Sequence, residues 1–348
     1  MDLIHPQSKA EVVDAVRRAN ADRRRLLVVG GRRHLDKGNP AEFDAELWTT
    51  QLDRLIAYEP AEMIVVAEAG MRTGELGRIL AAGGQEWPAD APEDATIGGA
   101  LAAGASSARR LKVGALRDTV LEAEVVTGDG RFIRSGARTV KNVTGYDLHK
   151  LVVGSLGTLG VIVQVALKVR PLPETRRTLR FASAPGIAEA ILAAVPAAAA
   201  VISTPDGIEL RLEGWSAEVD EQALLASAIA APIDAIVGAR FPGLRPWDER
   251  PVVAEVAVPP SRIAEVVPAD AWGALTGVGI AWCGLDSLDG ELTALRERAH
   301  AVGGIAPVIR GPGGLGDPPV PASEVQRRLK TAFDPNAVLA PGRGWGGA

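Results

Sequence analysis

Cys283 is the only cysteine in these 348 residues. One thiol closes no intramolecular disulfide, holds no iron–sulfur cluster and builds no cysteine zinc site. Histidine is nearly as scarce. His5, His34, His149 and His300 stand in unrelated contexts, which argues against a histidine metal cluster, so no metal site is expected. Long apolar runs are missing too. The alanine-rich stretch at 188–200 is too short to cross a bilayer and is broken by Pro196. The opening MDLIHPQSKAEVV has no basic segment followed by an apolar core, so no signal peptide is expected. There is no excess of positive charge. At a net charge of −5 the chain has no general attraction to phosphate backbones, which disfavours nucleic acid as a partner. The short runs Arg23-Arg24-Arg25 and Arg32-Arg33 read as solvated surface. These absences leave a cytoplasmic chain with no direct membrane span.

What remains is ordinary for a globular protein, with 47% apolar and 23% charged residues in a length that suits about two domains. Pro6–Asn20 reads as a helix, with Ser8 as N-cap, Glu11 three residues on, and Val12, Val13 and Val16 at helical spacing. RLLVVGG and MIVVAEAG are short strands, and TGELGRILAAGG is an amphipathic helix closed by Gly83 and Gly84. Gly128-Asp129-Gly130 between two apolar runs signals a hairpin. A short helix is expected around Leu148–Val153. In the strand after it, Val161, Val163, Val165, Leu167 and Val169 should share one face, with Gln164 and Lys168 on the other. Pro171 and Pro173 mark a boundary. Beyond it, strands and helices alternate without a glycine-rich phosphate loop, as in a ferredoxin-like unit, and no internal repeat is evident. A helix, Glu324–Phe333, precedes the tail DPNAVLAPGRGWGGA.

Three glycine-rich stretches are the candidate sites. VVGGRRH ends a strand on Gly30 and Gly31, and its bare N–H groups with Arg32, Arg33 and His34 could cradle an anion. Alone it reads better as a strand-ending turn with surface arginines, and it is neither G-x-G-x-x-G nor a Walker loop. TIGGALAAG, Thr96 to Gly104, reads equally well as a rest for a flat cofactor or as a packed turn of small residues. KNVTGYDLHKLVVGSLGTLGVI, Lys141 to Ile162, carries four glycines within sixteen residues, more than capping requires, and favours a ligand lying against the backbone. Arg117 and Asp118 read either as site residues or as a buried ion pair. Arg343 reads either as a site residue or as part of a solvated terminal turn.

Together, VVGGRRH, DATIGGALAAGASSARRLKVGALRD, VVTGDGRFIRSGARTVKNVTGYDLHKLVVGSLGTLGVIVQVALKVRP and FDPNAVLAPGR resemble the FAD-binding domain of the vanillyl-alcohol oxidase and p-cresol methylhydroxylase superfamily, above all the FAD-binding subunits of bacterial glycolate oxidases. The likeness is strong over about residues 85–175 and weak across the second lobe. It implies an α+β fold. Residues 1–173 would be a two-subdomain FAD-binding domain (about 1–85 and 86–173), 174–320 a ferredoxin-like α/β cap, and 321–348 a segment returning to the first domain. FAD would be bound non-covalently. Gly30, Gly31 and the Thr96, Ile97, Gly98, Gly99 segment would surround the diphosphate, Arg32, Arg33 and His34 could add charge there, and Gly104 belongs to the same cofactor-binding set. Gly154, Ser155, Gly157, Thr158, Gly160, Val161 and Ile162 would line the adenine or ribityl side. Lys141, Asn142, Gly145, Tyr146 and Asp147 would order the flavin-site wall, and Arg117, Asp118 and Arg343 complete the candidate set.

The sequence departs from the family pattern at four places. Arg32 and Arg33 follow Gly31 where a third glycine and Ser or Thr are usual. Val163-Gln164 replaces Thr-Glu, Ala340-Pro341-Gly342 replaces Asn-Pro-Gly, and Gly303-Gly304-Ile305 replaces Gly-Gly-His. Related catalytic subunits carry a histidine-rich metal cluster in the cap, where this sequence has only His300. The resemblance therefore implies an electron-relaying subunit, partnered by a catalytic FAD-linked hydroxy-acid dehydrogenase subunit and an iron–sulfur subunit. A stand-alone FAD-dependent alcohol or sugar oxidoreductase, or a scaffold that has lost FAD, are the alternatives. No catalytic residue is assigned.

Overall fold

The Ser8 Oγ accepts the Glu11 N–H at 3.2 Å, and Glu11 reaches back to the Gln7 N–H at 2.9 Å. This capping box starts the helix expected at Pro6–Asn20, which runs as α1, Lys9–Ala21, in the computed structural model. Val12, Ala15, Val16 and Ala19, at helical spacing, bury one face. The structure describes residues 1–104, 106–139, 146–238, 249–316 and 322–345. They fall into two units: Met1–Ser107, Ala115–Leu172 and Asp317–Ala348 form unit 1, and Ala108–Gly114 with Pro173–Gly316 form unit 2.

In unit 1, β1 (Asp2–Ile4), β2 (Leu26–Val29) and β3 (Ala45–Trp48) form a parallel sheet in the order β1-β3-β2. Seven further strands follow: β4 (Leu55–Glu59), β5 (Ile64–Glu68), β6 (Gln85–Glu86), β7 (Val120–Val126), β8 (Phe132–Gly136), β9 (Val161–Lys168) and β10 (Arg170–Pro171). Five of them make an antiparallel sheet in the order β4-β5-β9-β7-β8, while β6 pairs with β10. Helices α2 (Thr73–Ala82) and α3 (Ile97–Ala103) pack onto one core with β5, β7 and β9. A second core joins α1 to β2, β3 and the first residues of β9.

The central strand β9 differs from its expected alternation. Its pairing with β7 passes from Val125↔Ile162 to Glu124↔Gln164, so Val163 is an extra residue in a β-bulge. The bulge divides the expected stripe between two cores. Val161 and Val163 enter the α1 core, whereas Ile162, Val165, Leu167 and Val169 enter the other. Gln164, on the other face, is buried. It lies between Glu68 and Glu124 in the ladder, and Lys9 Nζ from α1 donates to its Oε1 at 2.7 Å and to Glu124.

Unit 2 begins with the single turn α4 (Arg110–Val113) and continues as β11 (Thr175–Phe181), α5 (Ile187–Ala194), β12 (Ala200–Thr204), β13 (Gly207–Gly214), α6 (Ser216–Ile229) and β14 (Asp234–Val237). Then come β15 (Val252–Ala257), β16 (Trp272–Leu275), β17 (Ile280–Leu285), α7 (Thr293–Ala301) and β18 (Val308–Arg310). One eight-stranded sheet, antiparallel throughout, runs β14-β11-β13-β12-β16-β17-β15-β18. Cut between β12 and β16, each half has the ferredoxin-like order, fourth-first-third-second strand from its outer edge. The fold is therefore a doubled ferredoxin-like unit, although no repeat shows in the sequence. The second half makes its first crossover with a 3₁₀ helix, Pro260–Glu265, in place of an α-helix, which hides the periodicity. The last helix, α8 (Ala322–Phe333), and the tail belong to unit 1, where Leu26 pairs with Leu339 beside β2.

Candidate functional site

Strand β2 runs into Gly30 and Gly31, and Thr96 caps α3. Between these two turns and the loop before β9 lies a cleft open to solvent, whose empty space with that open solvent included is about 700 Å³. Its backbone-rich walls are Gly30, Gly31, Thr96, Gly98 and Gly99, with Gly157, Gly160 and Ile162 from the loop and its strand. Arg32, Arg33, His34 and Arg343 supply its polar side chains, and Leu27, Val28, Leu35, Ala102, Ala103 and Leu156 its apolar ones. Twelve of the sequence-selected residues thus meet at one place in unit 1.

The glycines first make room for the protein itself. A Cβ on Gly30 would stand 2.1 Å from Thr96 Oγ1, one on Gly31 2.5 Å from the Asp94 carbonyl, and one on Gly160 2.3 Å from Val125 Cγ1. Gly104, at φ +59, ends α3, and its Cβ would meet Gly154 Cα at 2.7 Å. The Gly154–Gly160 loop in turn satisfies the end of α3: the Gly154 N–H donates to Leu101 O and the Leu156 N–H to Ala102 O, both at 2.9 Å. Close packing of small residues leaves the cleft walled by main chain.

The N-terminal N–H groups of α3 are already used. Ile97 donates to Met71 O, Gly98 to Ala69 O, and Gly99 to the Thr96 hydroxyl at 3.1 Å. The loop after β2 is different. Among the described residues no acceptor takes the N–H of Gly31, Arg32, Arg33 or His34. Arg32 adopts φ +58, and its Nη1 lies 3.0 and 2.8 Å from the two carboxylate oxygens of buried Glu46. Its guanidinium also stacks 5.2 Å from the Trp48 ring centroid. Arg33 pairs with Asp94 at the surface. The His34 Nε2 is buried without a partner, and burial, with Lys37 adding, holds the imidazole below its ordinary pKa. A neutral ring nitrogen in the cleft can then serve as donor or acceptor. Arg343 is no solvated tail residue: it is buried and donates to the carbonyls of Leu35 and Lys37. Burial lowers its pKa, against the pull of Asp36.

The other selected residues lie elsewhere. Ile97 and Val161 are buried in the two cores. Ser155 Oγ donates to Val152 O and Thr158 Oγ1 to Ser155 O, so both hydroxyls brace the loop. Arg117 and Asp118 form an exposed pair at 4.0 Å, not a buried one. Tyr146 is 90% exposed, and Asp147 pairs with Lys150 at 2.9 Å. Lys141, Asn142 and Gly145 lie outside the described residues. Sequence reasoning missed Asp94, Leu35 and Leu156 in or beside the cleft, and Lys330 behind its loop. Asp94 stands directly before the small-residue run, and only its pairing with Arg33 gives it meaning.

Residues 3–136 match the family model described as FAD binding domain. Glycolate oxidase subunit GlcE of Escherichia coli (strain K12) is 28% identical over 349 aligned residues, 95% of this chain and 96% of that protein. Residues 3–136 are an FAD-binding domain, and the chain has a fold of the p-cresol methylhydroxylase type. Glycolate oxidase subunit GlcD of Bacillus subtilis (strain 168) is 34% identical over 142 residues, which is 40% of this chain and 30% of that protein. A solved alkyldihydroxyacetonephosphate synthase has the same fold, with a TM-score of 0.69 at 17% identity, covering 97% of this chain and 76% of that one. The cofactor of this FAD-dependent oxidoreductase is FAD, and the cleft fits such a ligand. It has main-chain walls, free N–H groups at one end, an unpartnered buried imidazole nitrogen and a narrow apolar flank.

Proposed function

We propose that this chain is the FAD-binding subunit of a glycolate oxidase-like, 2-hydroxy-acid dehydrogenase complex, relaying electrons from hydroxy-acid oxidation to an iron–sulfur partner. The observation that carries this reading is the near end-to-end alignment with glycolate oxidase subunit GlcE. Residues 1–173 are the FAD-binding domain, 174–320 the cap and 321–348 the returning segment. Support for that division comes from the C-terminal tail, which pairs with β2 through Leu339. When bound, FAD supplies uptake of an electron pair and its release one electron at a time. The chain's own residues hold and orient it. The Gly31–His34 amides and the side chains of Arg33 and His34 face the diphosphate, Thr96, Gly98 and Gly99 flank it, and Gly157, Gly160 and Ile162 lie along the ribityl or adenine portion.

Binding is non-covalent. Cys283 is fully buried in unit 2 with its thiol pushed up to about 12 by burial, which removes it as a point of attachment. The partners are a catalytic FAD-linked hydroxy-acid dehydrogenase subunit and an iron–sulfur subunit. One cysteine cannot ligate a cluster, so the acceptor cluster belongs to another chain. Among the described residues no helix is long and apolar enough to cross a membrane. The complex works on the cytoplasmic side, and any contact with the inner face of the membrane is made by its partners.

Anaerobic addition of glycolate or D-lactate to the FAD-loaded chain tests this. The flavin bands should persist until the catalytic flavoprotein is added and then bleach. Bleaching by substrate alone would make the chain a self-sufficient dehydrogenase and overturn the relay role.

A further inference from the structure

The cleft is lined by four side chains that can carry positive charge, and the structure gives them different employment. Arg32 is committed to Glu46, which is 1% exposed and also accepts from Trp48 Nε1 at 2.8 Å. Withdrawing Arg32 would strand a buried carboxylate. Arg343 is committed to two backbone carbonyls that close the loop at 35–38. His34 is held uncharged by burial. Arg33 alone among the four is held only by an exposed carboxylate, that of Asp94, with both side chains about half exposed (54% and 49%). An exposed ion pair of this kind is weak and exchangeable.

We propose that Arg33 is the side chain that grips the diphosphate of FAD, that Asp94 is a competing latch which occupies it beforehand, and that Arg32 is a structural brace without a ligand. This rests on the reading of the cleft as the FAD site. The guanidinium fork matches paired phosphate oxygens, and a diphosphate offers more charge than the single carboxylate it displaces. Asp94 is well placed to compete. Its carbonyl lies against Gly31 and accepts from Arg72 Nη1, so its backbone is fixed beside the anion-facing loop while its side chain remains free to release Arg33. The latch makes binding selective, because an anion must outbid Asp94 before Arg33 is available.

The test compares FAD with riboflavin, which lacks phosphate, by flavin-fluorescence titration of the wild-type chain and of Arg33→Ala, Asp94→Asn and Arg32→Ala. Arg33→Ala should weaken FAD about tenfold and leave riboflavin unchanged. Asp94→Asn should tighten FAD by about threefold. Arg32→Ala should lower the melting temperature while holding FAD affinity within about twofold. Added salt should weaken FAD binding to the wild type more than to Arg33→Ala. Unchanged FAD binding in Arg33→Ala, an equal loss of riboflavin, or weaker FAD binding in Asp94→Asn would overturn the latch while leaving the flavoprotein reading intact. A wild-type chain that binds riboflavin and FAD equally would do the same. A wild type that binds no flavin would overturn both.

Discussion

Lys330 and Asp334 form a buried ion pair, Nζ to Oδ2 2.7 Å, one turn apart across the end of α8. The same ammonium donates to Thr158 O at 2.9 Å and Leu339 O at 2.6 Å, and Asp334 accepts the N–H groups of Val338 and Leu339. Two side chains thereby tie the glycine loop of the cleft to the C-terminal tail. Burial lowers the Lys330 pKa, against the pull of Asp334, so the pair is bound up with desolvation as well as attraction. Lys330→Met leaves Asp334 charged and buried. It should cost about 3–5 kcal/mol in chemical denaturation, and FAD affinity should fall with it. An unchanged denaturation midpoint would show that the tail is held by other contacts.

Gly31 and Gly77 make a paired test of the packing argument. Gly31→Ala drives a methyl onto the Asp94 carbonyl, 2.5 Å away, and onto Ala95 Cα, 2.9 Å away. Neither backbone atom can yield cheaply, and about 2–3 kcal/mol of stability should be lost. Gly77, exposed on α2, has nothing within 4 Å of its would-be Cβ. Gly77→Ala should be stabilising by about 0.5–1 kcal/mol through helix propensity. Thermal melts of both variants decide the matter, and equal effects would refute it.

Much of this architecture is legible in the sequence where the governing interaction is local. Ser8 and Glu11 announce α1, and Gly128-Asp129-Gly130 announces the β7–β8 hairpin, because each needs only its neighbours. The bulge at Val163 is different: Glu124 and Val125 on the partner strand set it, and no periodicity of β9 contains it. The same holds in the cleft. The sequence shows glycine at 30 and 104, but only the fold shows that Gly30 yields to Thr96 and Gly104 to Gly154. Arg32 and Arg33 look alike as neighbours. Glu46, a buried residue on β3, separates their roles.

Two histidines, His149 buried and His34 partly buried, predict the response to acid. Burial depresses His34, with Lys37 adding to the effect. His149 is depressed chiefly by burial, which Asp147 and Glu122 oppose and Lys150 assists. The unfolded chain takes up protons near the ordinary value of about 6.5, while the folded chain resists until lower pH. The stability these groups contribute is therefore complete above that value and is lost as pH falls through it towards the folded pKa values. Asp44, held down at about 2 by hydrogen bonds from Arg25, should still be charged in this window. Melting temperature should drop between about pH 7.5 and pH 5.5, and the drop should shrink in His149→Gln. A flat profile in the wild type would contradict the assignment.

Non-covalent attachment makes a chemical prediction. Acid precipitation of the FAD-loaded chain should leave all flavin absorbance in the supernatant, in the wild type and in Cys283→Ser alike. Yellow colour retained in the washed pellet would show a covalent bond and would turn attention to His34 in the cleft.

The most direct test of the account is the visible spectrum of the purified chain, before and after incubation with FAD and removal of the excess. The account predicts flavin bands at one FAD per chain, with Gly31→Ala failing to retain them. A colourless wild type that takes up no FAD after incubation would contradict the central claim and leave the fold as a scaffold without its cofactor.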